Sequence, residues 1–143
     1  NYAAPIWPDR EQARQVLRSY CASNALVKLS EDDAERLYGS RQSVDRILGD
    51  FHDMGASLVC LTLGADGSIV SYEGGNRRVQ LPGKPIEVVD ATGAGDAYWA
   101  GFLTAYLDGQ APEQCARSGS ALAELKLTRK GPLPAGIPRA AIY

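Results

Sequence analysis

The sequence predicts an α/β fold with a mostly parallel sheet flanked by helices. Three observations carry this. Strand-like apolar runs alternate with segments whose apolar residues recur at helical spacing. The run "SLVCLTLG" (57–64) is almost continuously apolar and bounded by glycine, as in a strand buried on both faces. The 143 residues, 45% hydrophobic and 22% charged, suffice for one core, and no linker or repeat divides them, so 1–143 reads as one domain.

The elements follow in order. Pro8 and Asp9 open a helix over 9–20, with Ala13, Val16, Leu17 and Tyr20 on one face. "ALVKL" (25–29) is a short strand. Ser30 opens the next helix, because Ser30-Glu31-Asp32-Asp33 resembles a capping box, and Gly39 ends it. A helix over 43–54 stops at Gly55. After the apolar strand "GADG" turns the chain, and "SIVSY" and "RRVQL" flank "EGGN" as a hairpin. "IEVV" (86–89) reads as a further strand leading into an Asp/Gly loop. A helix over 95–107 closes at Gly109, Pro112 opens a last helix to 127, and "KGPLPAGIP" leaves as coil.

Charge and cysteine usage narrow the function classes. A net charge of -2, with no Lys/Arg block, argues against nucleic acid as a partner, and Arg77-Arg78 reads as a solvated face. No apolar run reaches the roughly 18 residues of a membrane span. Three scattered cysteines, Cys21, Cys60 and Cys115, suit reduced, buried thiols in a cytoplasm. His52 is the one histidine and lies in a helical pattern, so Ser-His or Cys-His catalysis is not expected. "NYAAPIWPD" carries neither an initiator Met nor a signal peptide and reads as a piece of a longer protein.

The loop 90–96 ends where a helix begins. The first N–H groups of a helix lack internal partners, and the helix dipole adds partial positive charge there. Gly93, Ala94 and Gly95 are small enough to let phosphate oxygens reach those groups. Asp96 is anomalous in such a cradle, because a carboxylate repels phosphate. It is either a base within reach of an attacking hydroxyl or a first-turn residue favoured by the dipole alone. Asp90 is open to a plain reading as a turn or cap residue. The dinucleotide fingerprint fails at Tyr98, and no Walker P-loop is present.

"DATGAGDAYWAGFL" (90–103) resembles the C-terminal signature of the ribokinase-like (PfkB) carbohydrate kinases, Asp-x-x-Gly-Ala-Gly-Asp followed by an aromatic and a Gly-Phe pattern. "LTLGADG" (61–67) resembles that family's Thr-x-Gly-x-x-Gly nucleotide loop, and "VKLSEDDAERLYG" (27–39) the segment bearing its Asn-x-x-Glu motif. "NYAAPIWPD" resembles a segment of fructokinase-like and 2-keto-3-deoxygluconate-kinase-like members. The resemblance covers essentially the whole chain. It implies the C-terminal half of a ribokinase-like fold, without the N-terminal half and its lid, and ATP-dependent phosphorylation of a sugar hydroxyl in the cytoplasm.

The resemblance also implies roles. Asp96 would be the catalytic base, and Gly93, Ala94 and Gly95 the anion hole for the transferred phosphoryl group. Thr62, Gly64 and Gly67 would lie against ATP, with Ser118 and Gly131 bordering the adenine. Asp90 and Thr92 would match a monovalent-cation (K+) site, and Asp33 with Ser30 would act on Mg2+. Sugar and ATP would be the partners, and the full-length protein would form a homodimer. Two departures stand out: Ser30-x-x-Asp33 replaces Asn-x-x-Glu, leaving a helix cap and a Mg2+ role both open, and Ala3 replaces an expected Arg. Fructokinase is the nearest subgroup, with 2-keto-3-deoxygluconate kinase its rival. A non-catalytic nucleotide-binding remnant is the alternative from another class.

Overall fold

The structure is a computed structural model that describes residues 9–143; the opening segment, with Ala3, lies outside the described residues. The described residues form two compact units, residues 9–64 with 68–80, and residues 65–67 with 81–143.

The first unit is an α/β layer. Helix α1 (Arg10–Cys21) starts where Asp9 Oδ1 accepts from the N–H groups of Glu11 and Gln12 at 2.8 and 3.3 Å. Strand β1 (Leu26–Ser30) runs into α2 (Glu31–Tyr38), and α3 (Val44–Asp53) precedes β2 (Leu58–Thr62). A parallel pair needs a long crossover, and α2 and α3 supply it: β1 and β2 pair parallel from Leu26–Leu58 to Ser30–Thr62. Strand β3 (Ser68–Tyr72) lies antiparallel to β2, and β4 (Arg77–Leu81) completes the order β1-β2-β3-β4 after a turn over 73–76. The described sheet is therefore mixed, with the antiparallel part coming from the hairpin. Leu29, Leu37, Leu48, Phe51, Val59 and Leu61 form the core of this unit.

The titratable candidates here are structural. His52 spends both ring nitrogens on the fold, each at 2.9 Å, on the Ala56 carbonyl and the Ser71 hydroxyl. All three cysteines are buried, and burial pushes the Cys21 and Cys115 thiols up.

The second unit centres on two helices, α4 (Ala94–Leu107) and α5 (Pro112–Leu127). They approach closely because small residues line the contact. A Cβ on Gly101 would lie 2.4 Å from the Ser118 carbonyl oxygen, and one on Gly119 2.9 Å from that of Tyr98. After α5 the chain folds back, and Ile142 is buried with Ala97 and Leu122. Asp108 caps α4 at the negative end of its dipole, where an acid is unfavourable. It is accommodated because Tyr143 and Arg139 donate hydrogen bonds to its carboxylate and hold its pKa down.

One expected strand is absent. Residues 86–89 form no ladder, and Val88 and Val89 are exposed. The backbone explains this: the N–H groups of Val89 and Asp90 both turn to the Leu127 carbonyl, at 2.8 and 3.3 Å, instead of to a neighbouring strand. Apolar composition alone does not make a strand when the amides find another acceptor.

Two glycine substitutions should act in opposite directions. Gly49, inside α3, has no atom within 4 Å of an added Cβ, so Gly49→Ala should stabilise by about 0.5–1 kcal/mol. Gly101→Ala should destabilise by about 1–3 kcal/mol, because the new methyl meets the α5 backbone. Denaturant unfolding of the two variants beside the wild type measures both.

Candidate functional site

The site begins at the loop that opens α4. Gly93 is the N-cap, with φ +78°, a conformation that strains any side chain. No side chain caps this helix. Ala94 N–H donates to the Ala91 carbonyl at 3.2 Å, and Ala97 N–H to that of Gly93 at 2.9 Å, which closes the first turn. The first-turn amides of Gly95 and Asp96 are of the kind a helix leaves without internal acceptors. Ala91, Thr92, Gly93 and Asp96 are all exposed, so an anion and an alcohol from solvent could reach this end.

Asp90 is held from two sides. Its Oδ1 accepts from the Thr92 N–H at 2.9 Å. Its Oδ2 and its carbonyl oxygen accept from Lys126 Nζ at 3.3 and 3.4 Å. The Thr92 N–H, then the Thr92 hydroxyl and Lys126, hold the Asp90 carboxyl down at about 2. Lys126 itself is buried near the end of α5, with its side chain 8% exposed. Sequence reading missed it, although a signal existed: Cys115, Gly119, Leu122 and Lys126 follow helical spacing on the buried face of α5.

This geometry does not fit a monovalent metal ion at Asp90 and Thr92. Of the Asp90 carboxylate that such an ion would use, Oδ2 already receives an ammonium and Oδ1 an amide.

Ser30 and Thr62 are neighbours in register at the carboxyl ends of the parallel strands β1 and β2, where α/β sheets commonly bind ligands. Ser30 and Asp33 close the expected capping box. The Ser30 hydroxyl accepts from Asp33 N–H at 3.1 Å, and Asp33 Oδ2 accepts from the Ser30 N–H and hydroxyl at 3.2 and 2.8 Å. Among the described residues no three His, Cys, Asp or Glu side chains converge on a metal site.

Gly64 and Gly131 are open, with nothing within 4 Å of an added Cβ. Gly67 is different: at φ +96°, its Cβ position lies 2.1 Å from the Leu81 carbonyl oxygen, so it serves backbone packing in the second unit. Ser118 is fully buried in the α4–α5 contact, with its carbonyl against Gly101.

Comparison with known proteins gives a consistent result. The profile described as pfkB family carbohydrate kinase matches residues 1–139. The ATP-dependent 6-phosphofructokinase of Thermoanaerobacterium thermosaccharolyticum is 40% identical over 131 residues, 92% of this chain and 40% of that protein. The 2-dehydro-3-deoxygluconokinase of Escherichia coli is 31% identical over 145 aligned residues, 99% of this chain and 45% of that protein. The structure of Arabidopsis thaliana ribokinase, complexed with ribose and ATP, is 28% identical with a TM-score of 0.75, covering 87% of this chain and 41% of that one. The chain thus spans less than half the length of these relatives.

The Asp90 environment sets a pH dependence. A carboxyl lowered from 3.8 to about 2 contributes stability in full above its ordinary value and loses it as pH falls toward 2. Asp90→Asn should lower the unfolding midpoint at neutral pH and flatten its fall between about pH 4 and pH 2. Thermal unfolding across that range, variant against wild type, is the measurement.

Proposed function

The chain belongs to the pfkB family of carbohydrate kinases, and we propose that the intact protein transfers the terminal phosphoryl group of ATP to a sugar hydroxyl. The observation that carries this is the exposed Asp96 carboxylate in the first turn of a helix whose entry is Gly93-Ala94-Gly95. A site that only bound phosphate would gain nothing from that carboxylate. A site that activates an alcohol needs one within hydrogen-bond reach of the hydroxyl.

The roles divide simply. Asp96 accepts the proton of the attacking hydroxyl. The amides at the head of α4 receive the negative charge of the phosphoryl group in transit, and positioning with charge stabilisation supplies most of the rate. The resemblance carries ATP contacts over to Thr62, Gly64 and Gly67, with the stretch from Ser118 and the turn at Gly131 bordering the adenine. The Mg2+ that accompanies ATP would neutralise phosphate charge and keep much of its water shell, since Asp33 Oδ2 is committed to Ser30.

Fructose is the first substrate to test, followed by 2-keto-3-deoxygluconate and fructose 6-phosphate, given the relatives at 31% and 40% identity. A second reading, nucleotide binding without turnover, is favoured by the Asp33 carboxylate being turned into a helix cap.

A coupled assay of the intact protein with ATP and each sugar separates these readings. Asp96→Asn should lower kcat by at least about 10²–10⁴-fold, the usual contribution of a positioned base. ATP affinity should stay nearly unchanged by calorimetry. Wild-type turnover in the variant would remove Asp96 from the chemistry. No turnover of any sugar by the intact wild type would favour the binding reading.

A further inference from the structure

We propose that Lys126 is a built-in cation: its ammonium takes the place at Asp90 that a monovalent metal ion would fill, so the phosphate cradle of this protein works without one. The kinetic arm of the test rests on the phosphoryl-transfer reading; the rest does not.

Helical spacing on the buried face of α5 carries the Lys126 stem inside and brings its head to the loop. There Nζ donates to Asp90 Oδ2 at 3.3 Å and to the Asp90 carbonyl at 3.4 Å. Its Cε lies 3.9 Å from the Cβ position of Gly93, so one side chain reaches both the start of the loop and the helix cap. A carboxylate and a carbonyl oxygen are the donor types that a hard monovalent cation also selects. Ammonium and potassium ions are close in size. A potassium ion bonded to the same two Asp90 oxygens would overlap Nζ and repel it, so the two cations exclude each other.

The charge also has a purpose. Asp90 brings a negative charge to a loop that must accept phosphate, and a cation fixed beside it offsets that charge. A tethered ammonium is always present. The conformation of residues 90–93 then does not depend on the salt in solution.

The test compares potassium chloride with tetramethylammonium chloride, whose cation is too large for the loop, at equal ionic strength on the intact protein. The wild-type unfolding midpoint and ATP affinity should be the same in both salts. Lys126→Ala opens the space and should bind ATP at least about fivefold more tightly in potassium or ammonium than in tetramethylammonium, the low end of ordinary coupling between two ligands. The kcat of this variant should recover in the same order of ions, a rescue that lost packing would not produce.

A wild-type midpoint or ATP affinity that rises with potassium overturns the proposal, and so does a Lys126→Ala protein indifferent to the ion. If that variant folds in neither salt, the wild-type comparison decides alone. If the wild type transfers no phosphoryl group, the Asp96 reading fails instead, and the midpoints and ATP binding, which need no turnover, still decide the role of Lys126.

Discussion

A helix that is to receive an anion must leave its first amides bare, and a bare helix end has to be held by something other than a cap. In this protein the clamp between the end of α5 and the start of the Asp/Gly loop meets that constraint. The Leu127 carbonyl accepts from the amides of Val89 and Asp90, and one residue earlier Lys126 reaches the carboxylate and carbonyl of Asp90. The loop therefore enters α4 already oriented, and Gly93 can take its left-handed conformation with no side chain across the helix axis. Asp96 follows in the first turn of α4 and takes no part in this clamp.

The same unit shows why two helices can serve as a rigid platform. Gly101 and Gly119 bring α4 and α5 within backbone contact, so a sliding movement would drive backbone into backbone. The end of the chain adds a second tie, where Asp108 receives Arg139 and Tyr143 and Ile142 enters the core. The loop is thus fixed by α5, and α5 is fixed against α4. The proposed phosphoryl transfer would demand placement of this order, since small displacements of reacting groups are costly in rate.

Much of this was legible in the sequence. Helices with strong caps or stops, such as α1 after Asp9 and α2 between Ser30 and Gly39, lie where their residues predict, because caps act locally. The "EGGN" hairpin and the apolar β2 were equally plain. Residues 86–89 were misread because a strand is a property of a pair, and their amides found a helix carbonyl. The burial of Ser118 was not legible either, because family spacing shows that a residue is near a site but not which face of α5 it occupies. Lys126 went unread because a lysine near a helix end ordinarily faces water. Only its spacing from Leu122 and Gly119 marked it as buried.

The central claim is that the amino end of α4 receives the phosphoryl group while Asp96 faces the alcohol. A crystal structure of the intact protein with a non-hydrolysable ATP analogue and its sugar tests this most directly. The terminal phosphate should lie against the amides of Gly93 to Asp96, with the Asp96 carboxylate hydrogen-bonded to the acceptor hydroxyl. A terminal phosphate directed away from this loop, or a sugar whose hydroxyl meets a different base, would contradict it.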